Sequence, residues 1–290
     1  MRIRVLTAVA ALAASTAPSA SRAEETRKLE PTSPWNIDYA DDSCALKREF
    51  GAPADRALLE LRQFAPGASF SVLVARAERS FRQRPPQVRF LPATKPRSIE
   101  NALHFSNGAG MKAVKWYDSF VPTEPTSADA AVVAEADYRV WEGAVSGIEV
   151  AGTFAPAVVL ETGEMHKPMQ AMRACLDELL THWGVDVAAH RSLSRRVAPK
   201  GQAAWALDIQ EAYPREMLLQ ERSGEVRVRM MVGADGKPTG CRVQIPSQDP
   251  SFEETACRKM MEAARFEPAL DAAGNPIASY FLTRIIYRVN

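Results

Sequence analysis

The stretch that decides the fold runs Tyr213-Pro214, Gly224-Glu-Val226-Arg-Val228, Asp235-Gly236, Cys241-Arg-Val243, Phe266-Glu-Pro268-Ala269, Gly274-Asn-Pro276 and then the apolar residues 280–289. Val226, Val228, Met230 and Val232 alternate with Arg227 and Arg229, with Met231 interrupting the polar side. A period of two with one apolar face predicts a half-buried strand. Ala234-Asp235-Gly236-Lys237 supplies hairpin turn residues. Cys241, Val243 and Ile245 continue the alternation on the return strand. Ser251 with Glu254 three residues on predicts a capping box, in which hydroxyl and carboxylate each take an orphan helix N–H. Phe252, Ala256, Met260 and Ala263 then recur at helical spacing, opposite Glu254, Arg258, Glu262 and Arg265. Pro268 is expected to stop the helix, and Phe281, Ile285, Tyr287 and Val289 to form the buried side of a last strand. The predicted order is strand, strand, helix, strand.

This combination resembles the C-terminal domain of TonB-family proteins, over about the last quarter of the chain. The Tyr-Pro opening, the Gly-x-Val-x-Val strand, the Asp-Gly turn, the Phe-x-Pro-Ala and the Gly-x-Pro carry the resemblance through their order and spacing. It implies a helix packed on a small antiparallel sheet. It also implies a non-enzymatic role, gripping outer-membrane transporters by accepting a strand of the partner at a sheet edge. Two features depart from the family. Its energy transducers keep an N-terminal membrane helix and a long Pro-rich spacer, whereas here the first apolar segment looks cleavable and a β-rich domain occupies the place of the spacer. The two cysteines in the tail are a further departure.

Residues 1–23 combine a basic start at Arg2 and Arg4, an apolar run over residues 5–14 and a small-x-small site at Ser21-Arg22-Ala23. These are the parts of a secretory signal peptide, and the run is shorter than the roughly 20 residues that span a bilayer. Removing its three arginines and no acid takes the formal net charge from +1 to −2. A near-neutral chain is poorly suited to nucleic acid or an anionic membrane surface. In an exported protein the even count of four cysteines, Cys44, Cys175, Cys241 and Cys257, points to disulfides with three possible pairings. The expected one is Cys241–Cys257, tying the second tail strand to its helix, with Cys44–Cys175 tying the start of the mature chain to a distant helix.

The chain divides into residues 24–34 as a flexible start, 35–184 as a β-rich domain, 185–204 as a basic linker and 205–290 as the TonB-like unit. Strands are expected at 59–64 and 70–75 around Pro66-Gly67, at 87–91, at 102–105 paired with 112–116, at 132–141, at 148–150 and at 157–160. Short strands between turn residues argue for a sandwich or barrel-like domain, and the fold class is therefore α+β. Met169, Met172, Leu176, Leu179, Leu180 and Trp183 share one face of a closing helix, with Pro168 in its first turn and Gly184 at its end. The order from Trp35-Asn-x-Asp-Tyr39 and Cys44 to Met172-Arg-Ala-Cys175 and Trp183-Gly184 is similar to exported bacterial proteins that carry a TonB-like tail.

No catalytic, cofactor-binding or metal-ligating set emerges. Asp41-Asp42 is read as a turn or solvated pair. Gly143-Ala-Val-Ser146-Gly147 lacks the spacing of a nucleophile elbow, and Gly108-Ala-Gly110 lacks the glycines of a nucleotide loop. His104, His166, His182 and His190 are scattered. The partner-binding expectation rests on the last strand, whose side opposite the core carries Tyr280, Leu282, Arg284, Ile286 and Arg288. That side is apolar enough to be covered by another chain, a dimer partner or the N-terminal domain. The expected partners are envelope proteins or peptides, among them outer-membrane TonB-dependent transporters, with a homodimer as an alternative. An enzyme acting on an envelope polymer, with the tail as targeting module, is the rival. Cleavage after Ala23 predicts a mature N-terminus at Glu24 in the soluble periplasmic fraction of the native host. Mass determination of the N-terminus checks this; an intact Met1 in the inner membrane would contradict it.

Overall fold

The computed structural model describes residues 26–77, 81–93, 95–106, 110–120, 135–245 and 249–289. The N-terminal unit pairs two sheets. The larger is antiparallel, in the order Asn36–Ala40, Ser43–Phe50, Ala57–Gln63, Phe70–Ala77, Met111–Asp118 and Leu103–Ser106. Along Ala57–Gln63, every second residue is buried, Ala57, Leu59, Leu61 and Gln63, and the residues between are half-buried. The buried Gln63 amide donates to the carbonyls of Gly67 and Ser69, at 2.8 and 3.3 Å, and so closes the Pro66-Gly67 hairpin onto its own strand. The smaller sheet runs Thr26–Leu29, Ala157–Leu160, Gly147–Ala151, Gln87–Leu91 and Arg97–Ser98, with the first pair parallel. All four residues of Ala157–Leu160 are buried, as a strand covered on both faces requires.

One core joins the sheets. Leu46, Phe50, Leu59, Leu61, Val74 and Trp116 from the larger meet Val88, Ile148, Val150 and Leu160 from the smaller. Helix His166–His182 adds Met169, Met172, Leu176, Leu179 and Leu180 from one face. Gly184, at φ +74°, lies just past the end of that helix, where a left-handed residue is cheapest as glycine. Cys44 and Cys175 are joined in a disulfide between helix and sheet.

After helices Gln202–Glu211 and Arg215–Leu219, the main elements of the C-terminal unit follow in the order strand, strand, helix, strand: Gly224–Val232, Pro238–Ile245, Pro250–Ala263 and Ser279–Tyr287, with three short strands between the helix and the last strand. Gly224–Val232 is central, with the other two strands antiparallel on either side. Val226, Val228, Met230 and Val232 turn toward the helix and pack with Phe252, Ala256 and Met260. Cys241 and Cys257 form the second disulfide, strand to helix. Two glycines are fixed by close approach. A Cβ on Gly236, at φ +77°, would lie 2.1 Å from the Phe266 carbonyl oxygen, and one on Gly224 would lie 2.6 Å from the Phe252 ring. Tyr213 of the Tyr-Pro opening wedges edge-on against Phe252 and Tyr287 and donates its hydroxyl to the Arg222 carbonyl.

Four local expectations are corrected. Of residues 132–141, expected as strand, 132–134 lie outside the described residues and the rest belongs to helix Glu135–Ala144. Its Val140 and Trp141 are exposed and its Glu142 is buried, so the apolar residues do not alternate across a sheet, and the alanine- and glutamate-rich context favours helix. Within residues 24–34, Thr26–Leu29 is an ordered strand whose only buried residue is Leu29, which left no periodicity to detect. The N-cap of helix Pro250–Ala263 is Asp249, whose carboxylate accepts from the Ser251 backbone N–H and hydroxyl; Ser251 already sits inside the helix, behind Pro250. That helix ends at Ala263, before Pro268, because Arg265–Glu267 leaves it to pair with Ala198–Lys200.

The Cys241–Cys257 bridge spans 16 residues, and closing a loop of that size constrains the unfolded chain by about 3 kcal/mol. Replacing both cysteines by serine is expected to lower the urea stability of the C-terminal unit by about that much, followed by circular dichroism. An unchanged midpoint would contradict it.

Candidate protein-binding edge

The side chains of the central strand that point away from the helix are Arg227, Arg229 and Met231, and they meet the N-terminal unit. Arg229 donates to the carboxylate of Asp42, and its guanidinium carbon lies 3.9 Å from the centre of the Trp183 ring. Arg242 on the neighbouring strand reaches the other oxygen of Asp42 at 3.3 Å. Arg227 sits 4.9 Å from the Tyr117 ring centre and 5.2 Å from that of Phe64, and donates to the Tyr117 hydroxyl at 2.8 Å. Gln244 donates to the carbonyls of Phe64 and Asp42, at 3.3 and 3.4 Å. Cations over aromatic faces gain most when water is excluded, and Arg229 and Asp42 are both mostly shielded, their side chains 10% and 12% exposed.

The five residues singled out on the last strand share this side of the sheet but not one environment. Tyr280 is buried, stacked on His190 at 5.3 Å and edge-on to Trp183 at 5.2 Å. Leu282 is half-buried and packs against the N-terminal core, as does Met231. Arg284 is exposed and pairs with Glu225 across the ladder at 3.7 Å. Ile286 is half-buried, and Arg288 is exposed beyond the end of the strand. The apolar character of this side therefore has a cause within the chain for Tyr280 and Leu282.

The backbone of the same strand is a separate surface. Among the described residues, Ser279–Tyr287 pairs only with the central strand and is one edge of its sheet. The Ile286 carbonyl accepts from the side-chain amide of Gln210, on helix Gln202–Glu211, at 3.2 Å. A carbonyl met in this way is one the ladder leaves over, and with a period of two the backbone groups of Arg284 and Leu282 turn the same way. No hydrogen bond reaches those two residues' outward backbone groups from any other described element. Such an unpaired row is a template for a further strand.

Among the described residues no three His, Cys, Asp or Glu side chains gather as metal ligands would. Burial raises the Asp118 carboxyl above its ordinary range, but Arg97, the Trp116 indole N–H at 2.8 Å and the Ser119 backbone N–H at 2.7 Å close around it. Sequence reasoning missed Asp42, read as a solvated turn residue, and His190, read as part of a linker. Residues 185–204 contain helix Val187–Arg191 and strand Ala198–Lys200. The available signal was Trp183, Arg227 and Arg229 in a chain whose acidic pair Asp41-Asp42 lies far away in sequence, and it points to no particular partner without the fold.

The fold places a small α+β unit with an edge strand after a β-rich domain. Residues 209–289 match the family described as Gram-negative bacterial TonB protein C-terminal. That match covers a little over a quarter of the chain, so it characterises the C-terminal unit as TonB-like. A comparison with curated proteins finds no match. No helix among the described residues is long and apolar enough to cross a membrane.

The seam carries a pH signature. Burial, with Arg196 adding to it, lowers the His190 pKa from 6.5 to about 4. Folding therefore favours the neutral ring, and between these values the unfolded chain binds the extra proton. The contribution is complete above pH 6.5 and is lost as pH falls toward 4, by up to about 3 kcal/mol. His190→Phe is expected to flatten the stability profile over this window, measured by urea unfolding at a series of pH values. An equal slope in wild type and variant would contradict it.

Proposed function

We propose that the chain is an exported envelope protein whose TonB-like unit takes an extended segment of a partner protein along the outer edge of Ser279–Tyr287. The observation that carries this is the unpaired backbone row at Leu282 and Arg284, beside an Ile286 carbonyl that only a side chain engages. An added strand satisfies such groups by main-chain hydrogen bonds, while alternate side chains read the partner. Outer-membrane TonB-dependent transporters are the first partners to test, because the matched family is the reason to look there. The last strand and the residue just beyond it supply Tyr280, Leu282, Arg284, Ile286 and Arg288. In this proposal Tyr280 and Leu282 hold the strand in place, and Arg284, Ile286 and Arg288 flank the bound segment.

A folded domain stands where an energy transducer has its spacer, and the first apolar segment has the pattern of a cleaved leader. Both favour a soluble periplasmic binding protein detached from an inner-membrane motor.

The test is binding of the mature chain to peptides from the periplasmic N-terminal segments of the host's TonB-dependent transporters. Arg284→Pro removes one outward N–H at an edge, where proline is tolerated. It is expected to weaken binding at least tenfold with the circular dichroism unchanged. Undiminished binding in this variant would refute edge pairing. Failure of every transporter peptide to bind would refute that partner class, and sedimentation as a dimer would move the edge to self-association.

A further inference from the structure

A second feature lies on the N-terminal unit, away from the strand edge. It is a cavity of about 130 Å³ between helix His166–His182, the turn before Phe70 and the segment that follows helix Val187–Arg191. Its floor is apolar, made by Phe70, Phe120, Met169, Leu176, Leu180 and Leu193. Phe70 and Phe120 pack at 4.7 Å, so the floor is a preformed aromatic surface and not a gap between mobile side chains.

The rim is charged, and its pairing is uneven. Arg173 is held by both oxygens of Glu142, at 2.6 and 2.8 Å, and Arg191 pairs with Asp177. Arg196 also lines the cavity, beside the Tyr280 hydroxyl and His190, and pairs with no carboxylate among the described residues. Three arginines against two carboxylates leave the lining at +1, with His190 kept neutral by burial. Apolar cavities of about 150 Å³ stay dry and accept a molecule the size of benzene. This one is therefore large enough for a ring or a short chain. An unfilled apolar cavity also costs stability, so an occupant has something to gain by filling it.

We propose that this cavity binds a small carboxylic acid, its apolar body on the Phe70–Leu176 floor and its carboxylate on Arg196. A guanidinium presents paired N–H donors that match a carboxylate, and Arg173 and Arg191, already engaged, restrict the access of a second anion. The volume limits the apolar body to about six carbons, the size of a single ring, with the carboxylate at the mouth. The wall residue His190 stacks on Tyr280, so the site borders the seam between the two units.

Isothermal titration of the mature chain with hexanoate and with benzoate tests this, with hexan-1-ol as the neutral control. At least one acid is expected to bind at one site per chain and at least tenfold more tightly than the alcohol. The acid that binds tells a straight-chain source from an aromatic one. Arg196→Gln is expected to reduce that acid's affinity about tenfold, to the level of the alcohol. Ala68→Trp fills the cavity from the exposed turn and is expected to abolish binding of acid and alcohol alike. Thermal unfolding confirms that both variants fold. Absence of binding by either acid overturns the proposal, as does full affinity in folded Arg196→Gln or in folded Ala68→Trp.

Discussion

Arg229 lies between Asp42 and the face of Trp183, and this contact closes the second side of a three-stranded sheet. Such a sheet has two faces, and the helices of its own unit cover only one of them. Helix Pro250–Ala263 takes the face of Val226, Val228 and Met230. The other face carries Met231, Tyr280 and Leu282, too apolar to leave in water, and two arginines, too polar to bury without partners. The N-terminal unit answers both needs, with its core packing on the apolar residues and Asp42, Trp183, Tyr117 and Phe64 meeting the arginines. A shielded ion pair adds little by itself, but removing one partner strands the other charge, at a cost of about 3–5 kcal/mol. Asp42 is therefore more important to the seam than its place in a short turn suggests.

This arrangement separates two surfaces of one strand. The side chains of Tyr280 and Leu282 are committed to the interior of the chain, while the backbone of the same strand faces outward at the sheet edge. A binding strand needs the backbone and only some of the side chains. The seam can thus hold the edge in register without occupying it. It also fixes the position of the TonB-like unit relative to the domain that precedes it, where a flexible spacer would leave it free to reach.

Much of the fold could be read from the sequence because the tail states each element by its own signal. Val226 to Val232 alternate, Asp235-Gly236 turns, Phe252 to Met260 keep helical spacing, and the structure has those elements in that order. The helix from His166 to His182 was equally plain, since its apolar residues share one face. Other parts carried no local signal. Thr26–Leu29 buries a single side chain, and it is a strand because Ala157–Leu160 offers it an edge. Helix Glu135–Ala144 carries adjacent exposed apolar residues that imitate a strand. The seam was illegible for a different reason. Arg227 and Arg229 look like the wet side of any amphipathic strand, and only the fold brings them to Asp42, nearly two hundred residues away. The apolar excess at Tyr280, Leu282 and Ile286 was visible, but its cause lay in a domain whose position the sequence does not state.

The most direct test of the central claim is residue-resolved hydrogen exchange on the mature chain, with and without a bound transporter peptide. The outward amides of Leu282 and Arg284 are expected to exchange quickly in the free protein and to become protected when the peptide binds, while the central strand Gly224–Val232 stays protected throughout. Protection gained instead along the opposite edge, Pro238–Ile245, or no change at the last strand despite saturating peptide, would contradict it.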